Sequence, residues 1–122
     1  MKAMFVLAIA LLLLSSSDAL AQSNRQSVIV GVGTGSCGNY ILLRNAKSQH
    51  FDDSLEGWIV GFVSGMNHAR FGHSKSIKLL PDGPSMLAYV DKFCRDNPLK
   101  TVFNGADALF EEIPDLATPI TR

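Results

Sequence analysis

A chain of 122 residues that sets eleven Lys and Arg against eleven Asp and Glu has a formal net charge of zero. With no basic stripe and no Lys- or Arg-rich amphipathic face, it excludes the usual nucleic-acid binder and the membrane-surface helix. Its length allows one small domain, and its two cysteines allow at most one disulfide.

The chain opens on Lys2, the apolar run "MFVLAIALLLL" and the polar exit "SSSDALAQ", in which Ala19 and Ala21 form an A-x-A cleavage site. That order is a secretory signal peptide, and a run of about eleven residues is short of the ~20 a spanning helix needs. Residues 1–21 are therefore read as the signal. Residues 22–122 are read as one exported domain, with no membrane span after cleavage near Ala21. No cysteine sits near the cleavage point, so the product is expected to be soluble in a periplasm or outside the cell. In that oxidising setting the pair Cys37 and Cys94 predicts a disulfide. It would close a loop of about 58 residues, worth about 4 kcal/mol in the chain-entropy model.

The stretch "VIVGVGTGSCGNYILL" places Gly33, Gly35 and Gly38 at G-x-G-x-x-G spacing after three apolar β-branched residues. A dinucleotide site needs a second parallel strand ending on an acidic residue. Asp52 and Asp53 stand at about the right distance, but "RNAKSQHFDD" is too short and too polar to be that strand. The glycines are read instead as a flexible approach that lets Cys37 reach its partner, with Val28 to Val30 as a short strand or extended segment.

Hydrophobic spacing beyond this point is helical. Four helices are expected, roughly over 36–47, 54–71, 85–96 and 98–113, in an all-α domain of four or five helices closed by one disulfide. Ser36 caps the first, with Cys37, Tyr40, Ile41 and Arg44 on one side. Leu55, Ile59, Phe62, Met66 and Ala69 form the core-facing stripe of the second. Ser85 caps the third, which presents Met86, Val90, Phe93 and Cys94. Asn97 and Pro98 are read as cap and first residue of the fourth, which presents Val102, Ala106, Leu109 and Ile113. The tail "DLATPITR" is expected to lack order.

Three further features invite a function. Gly57, Gly61 and Gly65 recur every four residues in the second helix, each costing about 1 kcal/mol relative to alanine. Such a row is a flat groove, read as a close packing site for the first or third helix or for a second subunit, with Trp58 beside it as core or contact anchor. The longest polar break, "ARFGHSKSIKLLPDG", is the candidate partner-binding loop, carrying Arg70, His73, Lys75, Lys78, Leu80 and Asp82. The third feature is histidine: His50, His68 and His73 have neither the spacing nor a third ligand for a metal site. Ser64, His68 and Asp91 lack a nucleophile elbow, and the adjacent Glu111 and Glu112 do not face each other. No catalytic residue, metal or cofactor is assigned.

Taken in order, "GSCGNYILL", "WIVGFVSGMNHA" and "KLLPDGPSMLAYVDKFCRDNPLKTVFNGADALFEEI" resemble the layout of the Rap/Tai family of immunity proteins over nearly all of the mature chain. The residues that carry the resemblance are Cys37, Trp58, Gly61, Phe62, Gly65, Leu80, Pro81, Asp82, Gly83, Val90, Asn97, Pro98 and Ala106. It implies a periplasmic all-α protein, often a homodimer, that binds and blocks a peptidoglycan amidase effector delivered by a type VI secretion system. The placement of the two cysteines around "GFVSGMN" is also similar to the HdeA/HdeB acid-stress chaperones. That likeness implies a dimer that opens at low pH to hold acid-denatured clients. On both readings the protein is not an enzyme.

Overall fold

A computed structural model describes residues 28–116. The expected signal peptide and the end of the tail, residues 117–122, lie outside the described residues. After an extended lead, a 3-10 turn (Gly31–Thr34) precedes four α-helices: α1 (Cys37–Asn45), α2 (Gln49–Ser74), α3 (Gly83–Asp96) and α4 (Val102–Glu112). The fold is all-α. Among the described residues the β-type pairings are two isolated bridges, Ser36 with Thr101 and Lys78 with Asp115.

Helix α1 starts as expected, with the Ser36 hydroxyl accepting from the Asn39 N–H at 3.2 Å. Helix α2 is longer than its periodicity predicts at both ends. Its first turn, read from sequence as an interruption, is tied down: Gln49 donates to Asp53 at 2.7 Å, and Phe51 packs against the core. At the other end Gly72 is passed over, and the helix stops where Lys75 turns into the left-handed region at φ 57°. Helix α3 is capped by Asp82, not Ser85, because the Asp82 carboxylate accepts from the Ser85 N–H at 2.8 Å and Pro84 fits the first turn.

The expected start of α4 is corrected more strongly. Asn97 and Pro98 do not open the helix, because Asn97 closes α3 and its carbonyl accepts from the Lys100 N–H at 3.0 Å, forming a tight turn. Thr101 caps α4 instead, in a reciprocal box with Asn104.

The core gathers Tyr40 of α1, Leu55, Ile59 and Val63 of α2, Met86 and Val90 of α3, and Val102, Leu109 and Phe110 of α4. The α2 stripe centres on Val63 rather than Phe62, and Ala69 is exposed. Helix α3 is the hub, packing against each of the other three. The disulfide Cys37–Cys94 forms with both residues fully buried, joining the first residue of α1 to the last turn of α3. The tail begins in order: Leu79 N–H donates to the Pro114 carbonyl at 3.0 Å and Leu116 N–H to that of Ile77 at 2.8 Å. Residues 114–116 are thereby paired with 77–79, against the expectation of a loose tail.

Candidate functional site

The glycines of the first stretch serve packing inside the chain. Gly31 stands at φ +82°, a conformation that glycine adopts without strain. A Cβ on Gly33 would overlap the six-membered ring of Trp58, which lies across the 3-10 turn. The Trp58 indole N–H donates to the Val30 carbonyl at 2.9 Å. Trp58 therefore clamps the lead segment onto α2, and Gly33 is glycine because an indole covers it.

The second glycine row does the opposite. A Cβ on Gly57, Gly61, Gly65 or Gly72 would meet nothing within 4 Å. Neither α1 nor α3 uses the row, so packing inside the chain is not its role among the described residues. At 3.6 residues per turn, the α2 positions within about 60° of Gly61 include His50, Ser54, Gly57, Ser64, Gly65, His68 and Gly72. All are exposed, and none is Asp, Glu, Lys or Arg. A strip about 33 Å long thus has no permanently charged side chain. One edge of it is apolar: Val28 and Val30 are 80 % and 71 % exposed, and with Trp58 and Phe62 they border a depression of about 370 Å³. Trp58 stacks on Phe62 at 5.2 Å, and Phe62 meets the edge of Phe103 at 5.4 Å, so aromatic rings step from α2 to the first turn of α4.

The six residues of the candidate loop are not brought together as one outward surface. Lys78 is 7 % exposed, and its ammonium donates to the carbonyls of Glu111 at 3.2 Å and Ile113 at 2.8 Å. It caps the end of α4, where the helix dipole favours a cation. The Asn67 side chain holds its backbone from both sides, accepting from Lys78 N–H at 2.8 Å and donating to its carbonyl at 3.1 Å. Arg70 pairs with Asp115 through both carboxylate oxygens, Leu80 packs on the core and Asp82 caps α3. His73, Lys75 and Asp82 are the three that stand exposed. What the sequence could not reveal is that Lys78, in the middle of a polar break, turns inward.

A second polar cluster went unassigned in sequence. Arg44 donates to both oxygens of Asp91, at 3.0 and 2.8 Å, and its other nitrogen lies 2.7 Å from Asp52. Tyr40 donates to the same Asp91. One carboxylate of α3 thereby holds α1, and α1 holds the start of α2. Burial pushes the Asp91 carboxyl up, but hydrogen bonds from Arg44 and Tyr40 outweigh it and hold the group below the usual carboxylate range. Burial and the same contact raise the Tyr40 phenol far above its ordinary value. The Ile41, Arg44 and Tyr40 side of α1 predicted from spacing is where this cluster forms.

Ser64 and His68 sit on the exposed side of α2, away from Asp91, which faces α1. The three histidines are all exposed, and among the described residues no three His, Cys, Asp or Glu side chains gather as metal ligands. No helix among them is long and apolar enough to cross a membrane. Comparison with protein-family models, with curated proteins and with solved structures finds no match.

Proposed function

We propose that the chain is an exported, non-enzymatic protein-binding protein, and specifically an immunity protein that binds and inhibits a peptidoglycan amidase effector. The observation that supports binding is the uncovered glycine row of α2. Three glycines cost the helix about 3 kcal/mol relative to alanine, and among the described residues nothing packs on them to return that stability. A flat strip without permanent charge, flanked by exposed valines and an aromatic edge, has the form of the dry centre of a protein–protein contact. The sequence resemblance supplies the kind of partner.

The test is affinity capture from periplasmic and secreted extracts with the oxidised mature chain, at pH 7 and near pH 3, followed by a cell-wall hydrolysis assay. One dominant hydrolase at pH 7, inhibited by the chain, is the expected result. A captured hydrolase whose activity is unchanged would overturn the inhibitor reading.

The Asp91 cluster favours a second reading, an acid-activated chaperone. The folded pKa of Asp91 lies below its unfolded value near 3.9, so the stability it contributes is full above about pH 4 and is lost as pH falls through the folded value. Acid is therefore expected to loosen α1 from α3, and Asp91→Asn should flatten the loss of thermal stability between pH 4 and pH 2. If the mature chain binds no apolar dye and protects no client near pH 2 to 3, this second reading fails.

A further inference from the structure

The turn after α3 displays a leucine that the fold does not use. Leu99 is 98 % exposed, at the third position of the Asn97–Lys100 turn, where Pro98 presets the second. A single exposed leucine is ordinary on a mobile loop. This one is mounted on a backbone held from several sides. Besides the Lys100 to Asn97 bond that closes the turn, Gly38 N–H donates to the Pro98 carbonyl at 3.1 Å and Cys37 N–H to that of Lys100 at 2.8 Å. Val102 N–H donates to the Gly35 carbonyl at 3.0 Å, and the Asn97 side chain donates to the Phe93 carbonyl at 2.9 Å. The buried Cys37–Cys94 bridge fastens the same two segments together.

Charge around the turn is one-sided. Asp96 is taken by Lys92 at 2.7 Å, whereas among the described residues Arg95 and Lys100 have no ion-pair partner. Leu42, also exposed, lies one helical turn beyond Gly38 on α1, and Phe103 at the end of the aromatic steps follows the turn by three residues.

From this arrangement we infer that the Asn97–Lys100 turn is a preformed anchor, whose Leu99 enters an apolar pocket rimmed by carboxylates on the partner protein. The inference rests on the protein-binding reading above and names the residues that enter the partner. Because the backbone is already fixed, docking orders one leucine and little else, which is how preorganisation gains affinity. Arg95 and Lys100 select the acidic rim and speed the encounter.

The test titrates the purified amidase with the oxidised wild-type chain and with Leu99→Asp, Lys100→Glu and Arg95→Glu variants, reading hydrolysis of isolated peptidoglycan at low and high salt. Unchanged helicity and melting temperature certify each variant, since Leu99 touches nothing that folding needs. The expected result is an inhibition constant raised about 30-fold or more by L99D, the loss typical of a central anchor. K100E should raise it about tenfold at low salt and less at high salt. Wild-type inhibition that survives L99D intact overturns the anchor and leaves the inhibitor reading standing. A wild-type chain that inhibits nothing overturns both. If light scattering shows a dimer that L99D dissociates, the pocket belongs to a second copy and the acid-rimmed partner is wrong.

Discussion

The two connections on either side of α3 were built to opposite plans. Residues 75–82 are long and polar, and several of their polar groups brace the fold: buried Lys78 caps α4, Asn67 grips its backbone, and Asp82, itself exposed, caps α3. Residues 97–101 are short and begin with what looks like a helix start; Asn97 and Thr101 spend their side chains on the ends of α3 and α4, while Leu99 and Lys100 point away. Length and polarity alone therefore do not tell which side chains of a connection the fold uses. A side chain is free to act on another molecule when the backbone that carries it is already hydrogen-bonded.

Three variants test that contrast, in descending order of effect. Replacing both cysteines by alanine removes the fastening beneath the short turn and should cost about 4 kcal/mol, read as a lowered denaturant midpoint. Lys78→Met keeps the volume but leaves two carbonyls at the end of α4 without a donor. It should cost about 2 to 3 kcal/mol, and a loss below 1 would mean that the long connection is not structural after all. Leu99→Ser should leave stability within about 0.5 kcal/mol by the same measurement, because an exposed side chain with no contacts has little to lose. A larger loss would erase the difference between the two connections.

The glycines mark a similar division. Gly33 and Gly61 look alike in sequence, each within a spaced set. One is closed over by Trp58 and the other faces open space, so Gly61→Ala should stabilise the isolated chain by up to about 1 kcal/mol in thermal melts. If it destabilises, the row is covered by something in solution, and a second copy is the first suspect.

Much of the frame was readable in advance. Ser36 as a cap, the Val102, Ala106, Leu109 and Ile113 stripe, and the pairing of Cys37 with Cys94 follow from local hydrogen-bonding chemistry, helical spacing and an even cysteine count. The start of α2 was missed because its first turn is polar and is held by Arg44 and by core contacts of Phe51, neither of which leaves a periodic trace. The start of α4 was misplaced because Asn-Pro opens turns as readily as helices, and only the Thr101 and Asn104 box settles which. Of the candidate site residues, the glycine row was found by spacing, while its outward direction was not.

Sequence alone determined what depends on neighbours along the chain: four helical periods, the Ser36 cap and one cross-link between distant helices. Tertiary structure decided the direction of each polar and small group. Lys78 turned inward because α4 ends beside it, Arg44 met an aspartate 47 residues away, and Leu99 was left outside because the turn carrying it was already satisfied. The reason is physical: a helix needs only its own hydrogen bonds to form, but whether a side chain is buried depends on which elements happen to converge around it.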